Sequence, residues 1–364
     1  MLNICISFDY ELFMGENNAS YEDILFSPTS ELQQMLNQEK ARGVFFADVC
    51  SAIVYEDNGL KEYSVPFLNQ IRSLCKDGHD IQLHLHPSWY KAELSGRQML
   101  PSYMGYRLHE YGFESSKFSA IDIINEGVDY LNNNLKIVNP NYKCIAYRAG
   151  GFAVQPEKEI FSALIKKGVL IDSSIVPHMK NNLVNGFDFS HVPKILNWWI
   201  DPNRGINIIS APSKNSIFEV PIATLRPSLF RYLGLSSEKL RLPQSKPLGK
   251  YVSNPNENPQ KPNPLLHIYK QLFDFRYVSL DTRYYERVIE DLEYIYSKYK
   301  LECKDGYVCL ICHPKLLDTC RIENIRLLIN RINNMGDKFR IVTMQDIYND
   351  IIVYTKYEGA QSGC

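Results

Sequence analysis

The sequence predicts an α/β protein of parallel β/α units whose strands close into a barrel. Short β-rich runs alternate along the chain with longer segments in which apolar residues recur at spacings of three and four. Such alternation is typical of parallel β/α units. Seven strand-like runs across 364 residues favour a closed barrel over an open sheet. Apolar residues make up 45% of the chain and charged residues 22%, which excludes a disordered chain.

The individual elements follow from apolar runs and from helix start and stop signals. The predicted strands are Ile4–Phe8, Val44–Val49, Ile81–Leu85, Cys144–Tyr147, Val169–Ile171, Tyr307–Cys312 and Phe339–Thr343. The predicted helices are Ser30–Arg42, Phe118–Leu135, Gln155–Lys167, Thr282–Tyr299 and Arg321–Met335. The first helix begins with Ser30 and Gln33 in the spacing of a capping box, and Gly43 ends it.

One segment interrupts the alternation. Residues 178–265 are rich in Pro and Asn, most densely at 254–264. Two short strands, Asn207–Ser210 and Ile217–Val220, are predicted inside it. We interpret the segment as an insertion on the rim of the barrel. The predicted organisation is therefore a single domain over residues 1–355, followed by a tail at 356–364.

Charge and cysteine content exclude several classes of protein. Forty basic residues balance forty-one acidic ones, so no uniform field attracts nucleic acid or an anionic membrane. No apolar run reaches the roughly 18–20 residues that span a bilayer, and the first residues form a strand rather than a signal peptide. The odd number of cysteines, nine, favours reduced thiols over a disulfide framework. These features predict a soluble cytoplasmic protein without an integral membrane segment.

Polar side chains stand at the ends of several predicted strands. They are Asp9 and Glu11 after the first strand, His84 and His86 at the third, Arg148 at the fourth, and His313 after a late one. In a β/α barrel the C-terminal ends of the strands meet at one mouth, where catalytic groups gather. We therefore expect these side chains to lie close together.

The spacing of the first four predicts a metal site. Residues two apart on an extended strand end point to the same side, so Asp9 pairs with Glu11 and His84 pairs with His86. Adjacent carboxylates repel each other unless a cation lies beside them. A carboxylate, two imidazoles and an open water position are typical of catalytic zinc or a related divalent metal. In the alternative interpretation the carboxylates are exposed in a loop and the histidines serve packing.

Arg148 and His313 add two further groups suited to hydrolysis. Arg148 can hold a carboxylate through a two-pronged contact, and His313 can act as a general acid near neutral pH. The alternatives are a rim salt bridge for Arg148 and a backbone-bonded histidine for His313. Trp89-Tyr90 and Trp198-Trp199 are candidates for stacking on sugar rings, with ordinary core or rim packing as the alternative.

These segments resemble the polysaccharide deacetylase family, also called the NodB-homology group or carbohydrate esterase family 4. The segments that carry the resemblance are Phe8–Glu11, Gly78–His84, Arg148–Gly151, Asp172–Ile175, Phe218–Ile222, Leu310–Pro314 and Val342–Asp346. The resemblance spans roughly residues 2–350 and is greatest to the subgroup found in O-antigen and capsule gene clusters. It implies a distorted (β/α)7 barrel of the NodB-homology type with a rim insertion.

The resemblance also implies an activity and roles for residues. It implies a metal-dependent hydrolase that removes an N-acyl group, in the first place acetyl, from a sugar in surface-polysaccharide biosynthesis. Asp9 would be the base, His313 the acid, and Arg148 the residue that holds Asp9. Many members place their two ligand histidines four residues apart, but Ser88 stands there in this chain. We therefore predict a zinc site formed by Glu11, His84 and His86.

Three other functions remain open on the sequence. One is a deformylase, or another hydrolase of non-peptide C–N bonds, acting on a lipid- or nucleotide-linked sugar. The second is a non-catalytic sugar-binding homologue, which the altered histidine spacing motivates. The third is an electron carrier, because Cys309–His313 spells the C-x-x-C-H pattern of c-type haem attachment. That third function requires an exported chain.

Overall fold

A computed structural model gives the structure of this chain. It describes residues 1–114, 118–182, 186–226, 241–242, 246, 248–251 and 274–361, with the backbone alone for 353–361. The Pro- and Asn-rich stretch at 254–264 and the final residues of the predicted tail, 362–364, lie outside the described residues.

Strands and helices alternate through the described residues. In chain order the strands are β1 (Leu2–Tyr10), β2 (Val44–Asp48), β3 (Asp80–Leu85), β4 (Glu93–Ser95), β5 (Gln98–Leu100), β6 (Ala146–Ala149), β7 (Ile171–Asp172), β8 (Lys180–Asn181), β9 (Phe187–Asp188), β10 (Trp198–Ile200), β11 (Ile217–Glu219), β12 (Thr224–Leu225), β13 (Arg276–Tyr277), β14 (Gly306–Cys312) and β15 (Phe339–Ile341). The α-helices are α1 (Ser27–Gln38), α2 (Val49–Asp57), α3 (Lys61–Lys76), α4 (Ala120–Leu135), α5 (Glu157–Lys166), α6 (Tyr285–Lys298), α7 (Thr319–Asn333) and α8 (Met344–Gln361). A π-helical turn at Glu22–Phe26 precedes α1, and short 3-10 helices lie at Pro87–Lys91, Leu108–Tyr111, Gly150–Phe152 and Pro314–Leu316.

Seven parallel strands form a barrel in the order β11, β7, β6, β3, β2, β1 and β14. The chain just after β11 closes the ring against β14. There the Cys309 amide donates to the Pro221 carbonyl at 2.9 Å, and the Ala223 amide donates to the Cys309 carbonyl at 2.8 Å. All nine residues of β1 are buried, as expected for a strand between a barrel interior and an outer layer. The predicted distorted (β/α)7 barrel is confirmed.

The seventh barrel strand is not the one that the sequence predicts. β15 pairs only with the first residues of β1, in the register Leu2 to Phe339, and stands beside the ring. β11 takes its place, and β10 pairs with it in antiparallel fashion. Both lie inside residues 178–265, so this segment contributes to the main sheet as well as to the rim. β11 confirms the strand predicted at Ile217–Val220, but its three residues are too few for the apolar pattern to show that it belongs to the barrel.

Some local predictions are wrong. Residues 207–210 form no strand, because Ile208 and Ile209 are exposed and only Ser210 makes a bridge, to Trp199. The predicted capping box is absent, since α1 begins at Ser27 and the Ser30 hydroxyl donates to the Phe26 carbonyl. The predicted boundary between the domain and its tail at residue 355 stays a prediction; α8 spans it, from Met344 to Gln361.

Three helices, α2, α3 and α8, were not predicted, and for the first two the sequence shows why. Seven of the nine residues of α2 are buried, so this helix shows no polar face and no helical periodicity. α3 contains Pro66, which argues against a helix although the helix forms. Together α2 and α3 connect β2 to β3 and cover one side of the barrel.

Within the part of the chain that the structure describes, no helix combines the length and the apolar character needed to cross a bilayer.

Candidate active site

The structure brings the six predicted site residues together at one mouth of the barrel. They are Asp9, Glu11, His84, His86, Arg148 and His313. Asp9 and Arg148 lie on β1 and β6, and His84 lies on β3. Glu11, His86 and His313 lie just beyond the ends of β1, β3 and β14. Parallel strands carry all of these ends to the same side, which is why residues 300 positions apart in sequence meet.

Glu11, His84 and His86 form a buried cluster of metal-ligand type. Their donor atoms all lie within 4.8 Å of one another. Glu11 Oε2 is 2.9 Å from His84 Nε2 and 2.5 Å from His86 Nε2. Ser88, four residues after His84, is buried. The histidines two apart therefore converge, as the strand geometry predicts.

The hydrogen bonds of His84 test whether this cluster fits a metal ion. His84 Nδ1 donates to the Arg148 carbonyl at 2.8 Å, because a carbonyl can only accept. In the neutral ring, Nε2 then presents a lone pair to the Glu11 carboxylate. Two electron-rich atoms at 2.9 Å require a proton or a metal ion between or beside them. A histidine that donates through its other nitrogen to a carbonyl is the usual form of a metal ligand. The residues present therefore fit a divalent metal.

Charges around the cluster outweigh the effect of burial. Burial alone would raise the pKa of Glu11, but attraction to Lys315 and His86 holds that pKa well below its usual value. Burial alone would lower the pKa of His84, but Asp9 and Glu11 raise it above the usual value. The carboxylate is thus kept anionic and its surroundings favour positive charge.

Two neighbours determine the position of His86. Asp48, at the end of β2, accepts the His86 backbone N–H at 3.2 Å and the Trp89 indole N–H at 2.7 Å. A Cβ at Gly150 would lie 2.6 Å from His86 Nδ1 and 2.6 Å from the Leu85 carbonyl oxygen. Only glycine leaves room for the imidazole there, which explains the Ala-Gly-Gly that follows Arg148.

Arg148 holds Asp9 from inside the barrel. Its Nη1 donates to Asp9 Oδ1 at 2.5 Å, while Nη2 donates to Ser7 and Ser173 hydroxyls at 3.0 and 3.1 Å. Nε donates to the Ser173 carbonyl at 3.0 Å, and the guanidinium lies 4.0 Å from the centre of the Phe46 ring. The side chain is fully buried, so the rim salt bridge considered from the sequence is wrong.

The other oxygen of Asp9 faces the imidazoles. Asp9 Oδ2 is 3.9 Å from His84 Nε2 and 3.9 Å from His313 Nε2. His313 Nε2 is also 3.9 Å from Glu11 Oε1, so His313 borders both Asp9 and the ligand cluster. A water or a substrate atom between these groups would have a carboxylate and an imidazole within reach.

His313 is oriented by a carboxylate that sequence reasoning missed. Asp281 Oδ2 lies 2.7 Å from His313 Nδ1, and its Oδ1 accepts the His313 backbone N–H at 2.9 Å. Burial alone would lower the pKa of His313, but Asp281 raises it above the usual value. The His313 side chain is 18% exposed, against 5% for Asp9, so it borders the opening. The backbone-bonded alternative for His313 is wrong, because its ring pairs with a side chain.

Lys315 is a second group that the sequence did not indicate. Its ammonium is fully buried, 2.5 Å from Glu11 Oε1, and donates to the Leu12 carbonyl at 2.9 Å. The strand-end rule could have found Asp48, which ends β2, and Asp281, which follows the run at Val278–Leu280. Lys315 lies two residues after His313, on the 3-10 helix at Pro314–Leu316. Because it does not directly follow a strand, the strand-end rule does not predict it as a site residue.

Sugar stacking is wrong for two of the four candidate aromatic residues, Trp89 and Trp198, and stays a prediction for Tyr90 and Trp199, which are half-buried. Trp89 is fully buried and donates to Asp48, and Trp198 is buried and donates to the Ile206 carbonyl at 3.1 Å. Neither presents a ring face to solvent.

The interpretation of Cys309–His313 as a haem attachment site is also wrong. Cys309 and Cys312 are fully buried on β14, where Cys309 accepts from Ser173 and Cys312 donates to Asp281.

No family model matches the chain, and no curated protein matches it.

Solved structures do resemble the chain. One described as a polysaccharide deacetylase from Mycobacterium smegmatis has a TM-score of 0.47 and 14% identity, over 97% of this chain and 91% of that one. Another so described, from Pseudomonas aeruginosa PAO1, has a TM-score of 0.44 and 12% identity, over 95% and 88%. A structure named Puue allantoinase has a TM-score of 0.48 and 10% identity, over 95% and 88%. At such identities function has to be derived from the site itself.

Proposed function

We propose that this protein is a metal-dependent hydrolase that removes an N-acyl group, in the first place acetyl, from a sugar. One observation carries the proposal: Asp9 Oδ2 lies 3.9 Å from a ligand imidazole, His84, and 3.9 Å from His313. A base and an acid thus flank one space beside a cluster that can hold a metal. Metal-assisted hydrolysis of an amide uses these three elements together.

Glu11, His84 and His86 would hold the metal. When bound, a divalent ion would lower the pKa of a coordinated water and polarise the acyl carbonyl. We propose zinc, because one carboxylate and two imidazoles with an open position are ligands that catalytic zinc uses.

Asp9 is the proposed base. Arg148 occupies its Oδ1, so the direction of Oδ2 is fixed and that oxygen is left to take a proton from the attacking water. Arg148 is itself held by Ser7 and Ser173. Rigid support of this kind lets the base act without reorganising during the reaction.

His313 is the proposed acid. Asp281 accepts the proton of Nδ1, so Nε2 faces the Asp9 side and can donate to the departing amine nitrogen. The C–N bond then breaks, and an amine-bearing sugar and a carboxylic acid leave. The raised pKa of His313 keeps its ring protonated, as a donor requires, up to a higher pH than usual.

We also propose the finer details that the motifs suggest. The substrate is an N-acylated sugar, lipid- or nucleotide-linked, used for O-antigen or capsule. The compartment is the cytoplasm. Free thiols support this compartment, because the eight described cysteines are all unpaired.

The proposal is tested by measuring acetate and formate released from N-acetyl and N-formyl amino sugars by the zinc-loaded protein. Asp9→Asn and His313→Ala should each lower kcat by about 100-fold or more at equal zinc content. Acetate release from the wild type identifies a deacetylase, and formate release identifies a deformylase. Near wild-type turnover by either variant would contradict the assigned roles. Sugar binding without release of any acid would identify a non-catalytic homologue.

A further inference from the structure

We propose that Lys315 is a positioning residue that restricts Glu11 to a single metal-facing oxygen and so keeps one coordination position open. This inference rests on the metal site of the proposed function and concerns how that site is built. Lys315 acts through Glu11 and does not contact the reacting atoms itself.

The two oxygens of Glu11 have separate partners. Oε2 faces both imidazoles, at 2.9 Å from His84 and 2.5 Å from His86. Oε1 lies 2.5 Å from the Lys315 ammonium and 3.9 Å from His313 Nε2. A metal ion placed among Oε2 and the two Nε2 atoms would therefore meet a carboxylate whose second oxygen is already bound.

Lys315 is itself fixed in place. Its ammonium also donates to the Leu12 carbonyl and lies 5.2 Å from the ring centres of Phe13 and Tyr251. It stands on the 3-10 helix that follows β14, while Glu11 follows β1, and these two strands are neighbours in the barrel. The contact thus connects two adjacent strand ends.

The ion pair between Lys315 and Glu11 is unfavourable to break because both side chains are buried. A buried ammonium that loses its carboxylate becomes an uncompensated charge, which strongly destabilises the protein. A metal that took both Glu11 oxygens would remove the partner of a side chain with no exposed surface. Binding through one oxygen leaves the ion pair intact. The metal then keeps a free position for water or for the acyl oxygen, as catalytic sites require.

The experiment compares wild type, Lys315→Met and Lys250→Met with Co²⁺ in place of zinc. Lys250 is the matched control because it pairs with Glu16 in an exposed ion pair and does not touch Glu11. Four-coordinate Co²⁺ absorbs visible light strongly, and higher coordination absorbs weakly. We expect strong absorption from wild type and Lys250→Met, and absorption several-fold weaker from Lys315→Met.

The kinetic expectation is a drop in kcat of about 10- to 100-fold for Lys315→Met, with KM little changed. Unchanged absorption in Lys315→Met would overturn the proposal, whether or not activity falls. A wild type that binds no Co²⁺ would instead overturn the proposed metal site. These two failures are therefore distinguishable.

A crystal structure of the zinc-loaded wild type covers the case in which Lys315→Met does not fold. We expect zinc on Oε2 alone, with the Lys315 ammonium still on Oε1. Zinc on both oxygens, with Lys315 displaced, would overturn the proposal.

Discussion

Strand β3 has a histidine close to a carboxylate at each of its two ends. At its start His79 precedes Asp80, and at its end His84 faces Glu11. Burial lowers the pKa of His79 to about 4 and raises the pKa of Asp80 to about 6, so it shifts both groups toward their neutral forms. At the other end, neighbouring charges outweigh burial, raise the pKa of His84 and lower that of Glu11.

The partners of the two histidines explain this difference. His79 Nδ1 accepts the Gly43 amide at 3.3 Å, and its buried Nε2 has no hydrogen-bond partner among the described residues. His84 instead meets the Glu11 carboxylate at 2.9 Å. Burial of a single group removes charge, whereas burial of several opposite charges preserves it. The same residue types therefore support packing at one end of the barrel and form the proposed active site at the other.

The largest expected effect comes from mutating the histidine at the end of β3, compared with mutating the one at its start. His84→Ala removes a ligand imidazole, so we expect loss of zinc binding and a fall in kcat of more than about 100-fold. His79→Gln is the control, and it should retain zinc and turnover. Metal analysis and acid release measure both. Equal zinc content in wild type and His84→Ala would contradict the ligand assignment.

The next effect concerns the room for His86. In Gly150→Ala the added Cβ would overlap His86 Nδ1 and the Leu85 carbonyl, and the carbonyl belongs to β3 and cannot yield. We expect zinc affinity to fall about 10- to 100-fold, as measured by competition with a chelator. Gly336→Ala is the matched control, because its nearest atom would be 3.7 Å away. Unchanged affinity in Gly150→Ala would show that His86 is not held at this position.

A smaller effect tests whether the charge of Asp281 sets the pKa of the proposed acid, His313. Asp281 raises the pKa of His313, and a general acid loses activity as pH rises above its pKa. Asp281→Asn should therefore move the alkaline limb of the kcat/KM profile to lower pH, by about one unit. Asp129→Asn, in an exposed pair with Lys167, should leave the limb in place. If the alkaline limb stays at the same pH in Asp281→Asn, then His313 is not the group whose titration produces it.

The smallest effect concerns stability at the start of β3. The folded-state pKa of His79 is about 4, against about 6.5 when unfolded, so the unfolded chain binds a proton first as pH falls. His79 therefore lowers the free energy of unfolding between pH 6.5 and 4, by at most about 3 kcal/mol. Asp80, with its raised pKa, acts in the opposite direction below pH 6.

The comparison of wild type with His79→Gln isolates the histidine from Asp80. Urea unfolding at several pH values should show wild type losing stability relative to the variant as pH falls from 6.5 to 4. If the free energy of unfolding changes with pH in the same way in both proteins, then folding does not lower the pKa of His79, and His79 becomes protonated in the folded state as readily as in the unfolded chain.

Much of the site follows from one sequence rule. Polar residues directly after apolar strands were expected to meet, and the structure places Asp9, Glu11, His84 and His86 within a few ångströms. Asp48 obeys the same rule and was overlooked, although it ends the apolar run of β2. Asp281 follows the run Val278–Leu280, so the same rule finds it only if apolar runs of three residues are also considered.

The sequence by itself determined the barrel class, the alternation of strands and helices, and the residues that reach the mouth. These features depend on local apolar patterns and on the common direction of parallel strands. Tertiary structure alone decided that β11 closes the ring, that Lys315 binds Glu11 and that Asp281 orients His313. Each of these contacts joins segments that lie far apart in the chain or follow no periodic pattern. Their geometry depends on how the strands close around the barrel, and local spacing carries no record of that closure.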